Sequence, residues 1–354
     1  GRFTRKFKGR FKPPVTKFRR SRVVGKPSKI PCLDGLSTNA GVSRALALHD
    51  EKFARVPKCP SDFGAFCLAS KAEFISAFAK VKNQPRTLHV AINGNPNHNQ
   101  SSINRKAGAG WPWNKLFPAP GKAGVLTGDS PEVEINPKAL PLVSAYLDAS
   151  DRGSHQNVSC LSWKDELLDV EKVLQGKCRL YMPGTFHMYI LGDEVFASLF
   201  AFMSSHPSFM WFGPGLDLTG YQAHLLRVHL TSNDADPDRV IAMDISGMDV
   251  SECYAALKAV FATLTAAGKV AGLGDVWAAK SERFAEASLQ QLWSILGVIM
   301  CVYGRMQSGM RFTAEINTVL LNYIFQYLFY KGCLENEDVS EVEASAAWDR
   351  DIRA

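Results

Sequence analysis

The clearest pattern of apolar and polar positions lies in the C-terminal third. Val240-Ile241-Ala242-Met243 is a short apolar run that predicts a buried strand, with Asp244 at its end. Gly247 supplies a turn, and Val250 to Ala267 predicts a helix stopped by Gly268. Residues 287–303 predict a second helix. Within them Leu292 to Tyr303 is the longest apolar run, about two thirds of the length a membrane span needs, and reads as a buried helix. A third helix is expected from Thr313 to Lys331. There Ile316, Leu320, Tyr323, Ile324, Tyr327 and Leu328 keep a helical stripe, and Gly332 closes it. A strand followed by helices, with carboxylates at the strand end, is an α/β site architecture.

Upstream the pattern is weaker. Asn93-Gly94-Asn95-Pro96-Asn97 and Gly108-Ala109-Gly110-Trp111-Pro112-Trp113 are loops by turn chemistry, Glu194 to Met203 is helical, and Gly213-Pro214-Gly215 is a break. A chain of 354 residues suggests two or three domains. With 46% hydrophobic and 21% charged residues it can bury a large core and is not disordered overall. No apolar segment follows the basic N-terminus, so neither a secretory signal nor a transmembrane span is expected. The first residue is Gly1 rather than Met, as expected of a fragment or processed product. Eight cysteines form no C-x-x-C pair and fit no zinc or disulfide framework, so reduced thiols of a cytosolic protein are expected.

Charge changes this picture. Residues 1–30 hold twelve Lys or Arg, and the first acid is Asp34; the rest of the chain carries 29 basic against 34 acidic groups. The net +7 therefore belongs to a cationic arm with interleaved Phe3, Phe7, Phe11 and Phe18. Such a segment stays solvated as a tail or linker, or lies on a polyanion such as RNA.

Three constellations carry candidate chemistry. Asp244 and Asp249 straddle a strand end and a Gly turn, where a carboxylate is held rigidly enough to bind a hard cation. Asp249 also reads as a helix N-cap, with Glu252 three residues on completing a capping box. Ser308-Gly309 leads into a helix on which Thr313 and Asn317 share a face, presenting a hydroxyl and an amide to a ribose or base, or merely capping the helix. After the run Lys164-Asp165-Glu166, Lys172, Lys177 and Arg179 cluster around the turn at Gly176 and suit a triphosphate or a solvated hairpin.

Together the three resemble motifs of the RNA-directed RNA polymerases of positive-strand RNA viruses, picornavirus-like and sobemovirus-like ones especially. Lys164-Asp165-Glu166-Leu167 through Lys172-Val173, Gln175-Gly176-Lys177 and Arg179-Leu180 is similar to motif F. Asp244-x-Ser-Gly-x-Asp249 resembles motif A, and Ser308-Gly309-x-x-x-Thr313-x-x-x-Asn317 resembles motif B. Gly108-Ala109-Gly110-Trp111-Pro112 looks like motif G at the template entrance. The resemblance covers residues 105–331 in the order G, F, A, B.

The resemblance implies a right-hand polymerase of the α/β class. It places fingers over residues 31–235, a partial palm over 236–354 with a fingers-type insertion around 265–290, and no thumb. Asp244 would hold Mg²⁺, with Mn²⁺ as an alternative, for in-line nucleotidyl transfer. Asp249, Thr313 and Asn317 would read the ribose 2′-hydroxyl. Lys164, Lys172 and Arg179 would line the NTP channel, and Ser308-Gly309 would form a mobile loop. Implied partners are an RNA template, a primer or product strand, NTPs and other viral replication proteins, at replication complexes in the host cytoplasm.

Two departures stand out. Leu168 occupies a place where many members carry Arg, and no Gly-Asp-Asp of motif C follows Asn317 before Ala354. Gly192-Asp193-Glu194 superficially fits a permuted motif C, but it runs into an apolar helical stretch and reads as a helix start with acids in its first turn. A chain cut before motif C and the thumb is expected to be inactive alone. The competing reading is a non-catalytic RNA-binding fragment or polyprotein segment acting through its basic arm. Deleting residues 1–30 is expected to flatten the dependence of log K on log salt for single-stranded RNA by about 0.7 for each phosphate the arm neutralises. An unchanged slope would show that the arm does not touch RNA.

Overall fold

The computed structural model describes residues 29–54, 59–69, 71–80, 87–95, 100–153, 157–206, 252–295 and 298–336, with isolated positions at 97, 213–214, 220–221 and 224. Asp244, Asp249, the strand at 240–243 and the first 28 residues lie outside the described residues.

In chain order the N-terminal elements are β1 (Lys29–Pro31), α1 (Asn39–Ala54), α2 (Phe63–Ala69), α3 (Lys71–Ala77), α4 (Leu88–Asn93), α5 (Trp113–Leu116), β2 (Leu126–Thr127), β3 (Glu134–Ile135) and α6 (Leu140–Asp151). The middle holds β4 (Asn157–Cys160), β5 (Ser162–Trp163), β6 (Leu167–Asp169), α7 (Val170–Leu174), β7 (Leu180–Tyr181) and α8 (Phe186–Ser205). Then come α9 (Tyr254–Val270), α10 (Gly274–Leu289), β8 (Gln290–Ile295), β9 (Val298–Tyr303) and α11 (Thr313–Asn336). The fold is mixed α/β.

Among the described residues the largest sheet has the order β4-β8-β9, with β4 parallel to β8 and β8 antiparallel to β9. The helix expected over 287–303 is thus a helix end followed by a β-hairpin. Its alternating exposure explains the difference: Val298, Met300 and Val302 are half-buried while Ile299, Cys301 and Tyr303 face out. A continuous apolar run hides a period of two, and the β-branched residues favour a strand once β4 pairs with it. The last residues of the arm, Lys29 and Ile30, also join a strand, because β1 pairs antiparallel with β6.

The main core is built by α2, α3, α8, α9, α10 and α11. A second cluster gathers Trp113, Val125, Val143 and Phe186. A third packs Leu36, Val42, Leu46, Val173 and Leu180. Helix α8 serves both of the first two. It is long and apolar enough to cross a membrane by length and composition, but most of its residues from Phe186 to Met203 are buried inside the fold, so it is a core helix. It starts at Phe186, well before Glu194, so Asp193 and Glu194 stand in its third turn rather than in its first. Asp193 is on a helix, not on the strand–turn–strand a motif C requires.

Two further boundaries differ from expectation. Helix α9 runs through Gly268, and α11 continues past Gly332 to Asn336. Neither glycine is in the left-handed region that ends helices. Gly268 instead admits the ring of Trp277, which an added Cβ would overlap, and the Trp277 indole N–H donates to the Val195 carbonyl at 3.0 Å. The stripe on α11 holds at Ile316, Leu320, Tyr323 and Tyr327, whereas Leu328 is exposed. Helix α9 begins at Tyr254 with Cys253 as N-cap, so Glu252 precedes the helix and is not the third residue of a capping box starting at Asp249. All eight cysteines are free thiols.

Gly268→Ala is expected to displace Trp277 and lower the unfolding free energy by about 1–3 kcal/mol, measured by urea denaturation. Unchanged stability would mean that the ring finds another seat.

Candidate functional site

Strand β7 ends at Tyr181, and the next residues, Met182 to Thr185, form a junction that three of the candidate motifs touch. Ser308 and Gly309 dock there first. The Gly309 N–H donates to the Met182 carbonyl at 2.8 Å, the Gly184 N–H donates to the Gly309 carbonyl at 3.0 Å, and the Met182 N–H donates to Ser308 Oγ at 3.3 Å. The backbones meet so closely that a Cβ on Gly309 would lie 2.6 Å from Gly184 N and 2.7 Å from the Met182 oxygen. On the other side the Phe186 N–H donates to the Ala109 carbonyl at 2.9 Å, and a Cβ on Gly110 would lie 2.5 Å from the Gly184 oxygen. Within the 108–112 loop, Ala109, Gly110 and Pro112 are buried, Trp111 is half-buried and Gly108 is exposed. Trp113, just beyond, is fully buried and donates its indole N–H to His187 Nδ1 at 2.9 Å.

The basic group is built on β5 and β7, which pair antiparallel; the ladder extends to the Lys164 N–H, which donates to the Arg179 carbonyl at 2.8 Å. That register sets Lys164 and Arg179 side by side, and Glu166 Oε2 lies 3.4 Å from the first and 3.5 Å from the second. Their side chains remain 45% and 67% exposed, so both cations can still reach an anion. Lys172 is held differently, 2.7 Å from Asp169 Oδ2 one turn away and 53% exposed. This pairing pushes the Asp169 carboxyl down and the Lys172 ammonium up from their ordinary values. Lys164 and Arg179 thus share one partner, while Lys172 sits on the neighbouring turn.

The loop before α11 is closed by polar groups that periodicity did not flag. Gln307, fully buried, accepts from Asn157 Nδ2 at 3.3 Å and donates to Ser159 Oγ; Ser159 in turn donates to the Pro183 carbonyl at 3.1 Å. Thr313 Oγ1 lies 2.7 Å from the Gln307 carbonyl and 2.9 Å from that of Met310, so its one proton is engaged by the loop. Phe312, buried, holds φ 68°, a left-handed conformation that β-carbon residues adopt at a cost. Arg311 stacks 3.9 Å above the Phe312 ring and donates from Nε to buried Asp193 at 2.9 Å.

Glu252 is a residue of this candidate site that sequence reasoning placed wrongly. It is 3% exposed and its Oε2 accepts from the Met306 N–H at 2.7 Å. Its Oε1 accepts from Asn317 Nδ2 at 2.7 Å when the amide is oriented toward the acceptors around it. No periodicity marks such a residue. The usable signal was one acid among apolar neighbours close to a helix start.

Lys122 is another buried ion outside the motifs. Its ammonium donates to the Asn104 and Ala107 carbonyls at 2.9 and 3.2 Å, tying down the segment that enters the 108–112 loop; burial pulls its pKa down to about 8. Among the described residues no three His, Cys, Asp or Glu side chains gather as a cation site. The candidate ligand Asp244 lies outside them.

The mixed α/β fold is similar to that of a solved viral polymerase. It superposes on the Sicinivirus 3Dpol RNA-dependent RNA polymerase with a TM-score of 0.65, 20% identity and 93% of this chain covered; the chain spans 66% of that polymerase. At this identity the likeness concerns the fold. No curated protein matches the sequence. The family model for viral RNA-dependent RNA polymerases matches residues 153–349, more than half of the chain, and the chain belongs to that family. The 108–112 loop falls outside the matched residues.

Gly184→Ala, which would drive a methyl into the Gly309 carbonyl, is expected to part the two segments and lower stability by about 1–3 kcal/mol in thermal or urea unfolding. A variant as stable as the parent would show that the junction is not under such constraint.

Proposed function

We propose that this chain carries the nucleotide-entry and sugar-selection region of an RNA-directed RNA polymerase that transfers nucleotides from NTPs to an RNA 3′ end. The observation that carries this reading is the docking of the Ser308-Gly309 loop on Met182–Gly184, directly after the strand that follows Arg179. A basic, exposed pair and a loop-helix element bearing a hydroxyl and an amide thereby flank one short segment. Lys164 and Arg179 would neutralise the triphosphate, with Lys172 beside them. Thr313 and Asn317, together with Asp249, would face the ribose. The Gly108–Pro112 loop would border the template path.

Asp244 would be the ligand of a divalent cation, Mg²⁺ or Mn²⁺, which when bound supplies charge neutralisation at the transferred phosphate. On this reading residues 31–235 are fingers and 236–354 include part of the palm of a right-hand polymerase. Its setting would be replication complexes in the host cytoplasm, alongside other viral replication proteins.

Primer extension on an RNA template tests the proposal in the polymerase that carries this chain. Arg179→Ala and Lys164→Ala are each expected to raise the NTP KM about tenfold, the worth of one charge-assisted hydrogen bond. Asp244→Asn is expected to abolish incorporation while RNA binding persists. RNA retention with no incorporation by the parent would favour instead the non-catalytic, arm-driven reading.

A further inference from the structure

We propose that Glu252 is a positioning residue for sugar selection, fixing the Asn317 amide so that only its carbonyl oxygen is presented to the incoming ribose. The inference rests on the reading of Asn317 as a contact to the 2′ position and gives that contact a direction.

An amide side chain offers two donors and an acceptor, and rotation by half a turn exchanges them. At Asn317 the surroundings remove the choice. Oriented as its neighbours require, Nδ2 donates to Glu252 Oε1 at 2.7 Å and to the Thr313 carbonyl at 3.3 Å. Both neighbours are acceptors, so the opposite orientation would set oxygen against oxygen in each case. Both N–H groups are thereby engaged, and Oδ1 is turned away from these two acceptors.

The carboxylate that imposes this is itself held. Glu252 Oε2 takes the Met306 N–H at 2.7 Å, and its backbone carbonyl takes Arg305 Nη1 at 3.0 Å. The Arg305 carbonyl in turn accepts from Gln291 Nε2 at 2.9 Å. One buried side chain therefore links the entry of the loop at Met306 to the helix face at Asn317. With Oδ1 as the group turned toward the sugar, the site accepts a hydrogen bond. A 2′-hydroxyl can donate that bond; a hydrogen or a fluorine cannot.

Glu252→Gln tests this because a glutamine has one acceptor where the glutamate has two. Its oxygen is needed by the Met306 N–H, which turns its NH₂ toward residue 317. Asn317 then rotates to accept, giving up its longer 3.3 Å bond to the Thr313 carbonyl, and points its own NH₂ at the sugar. Glu252→Gln should therefore shift relative kcat/KM toward 2′-fluoro-NTP over NTP by about tenfold, the worth of one hydrogen bond.

The double variant Glu252→Gln with Asn317→Asp restores an acceptor toward the sugar. The amide introduced at position 252 donates to one oxygen of the carboxylate introduced at 317, and the other oxygen faces the ribose. This variant should recover most of the parental preference, which a merely structural role would not produce. It also keeps the test open if the single variant is poorly folded, as judged by its melting temperature. If Asn317→Ala leaves NTP over dNTP selectivity at the parental value, the reading of Asn317 itself fails. If Asn317→Ala relaxes selectivity while a folded Glu252→Gln keeps the parental 2′-fluoro ratio, or the double variant shows no recovery, the positioning role of Glu252 is overturned.

Discussion

Everything in the candidate site hangs on the approach of two glycine backbones, Gly184 and Gly309. Side chains would hold these segments at least one Cβ further apart, and the paired N–H to carbonyl bonds between them could not form. Because they do form, the loop before α11 lies against the residues that follow β7. Gly110 meets the Gly184 carbonyl from another segment, so stretches far apart in the chain converge on one residue. Backbone-to-backbone contact is stiffer than side-chain packing, since it has no rotamers to relax into. That stiffness suits a site in which the relative placement of cations, hydroxyl and amide matters more than the strength of any one contact.

Around this contact the protein has buried polar groups where an apolar core would pack more simply. Asn157, Ser159, Gln291 and Gln307 lie among the most buried residues, and each is bonded to another of them or to a backbone carbonyl. Burying an amide is unfavourable unless its partners are supplied, so the network tolerates few arrangements and thereby specifies one loop conformation. The left-handed Phe312 belongs to the same arrangement: its ring is clamped between Phe200 and the Arg311 guanidinium, and the backbone follows.

Helix α8 connects this site to the core. Its apolar residues serve two hydrophobic clusters, while its acids reach outward as struts, Asp193 to Arg311 beside the loop and Glu194 to Lys280 on α10 at 2.6 Å. Burial pushes the Glu194 carboxyl up and the lysine opposes that shift, so the strut is held by pairing rather than by solvation. Removing one partner of such a pair leaves a buried charge uncompensated, a larger penalty than the pair's own attraction. The acids thus have structural work on this helix.

Periodicity was enough to locate α11 and most of α9, because helical stripes such as Ile316, Leu320, Tyr323 and Tyr327 are local properties that burial then confirms. Motif wording was enough to select the residues that meet near the junction. Local pattern failed where the deciding partner was distant. Leu292 to Tyr303 is apolar in either conformation, and only pairing with β4 made it a hairpin. Gly268 carries a helix-stop signal until Trp277 fills the space above it. Glu252 resembles a cap because its proximity to Met306 and Asn317 does not exist along the chain. By itself the sequence determined which residues were chemically capable and which segments could hide from water. Which backbones touch, and which buried donor faces which acceptor, only the tertiary structure decided, because desolvation and close contact act between groups that the chain brings together from far apart.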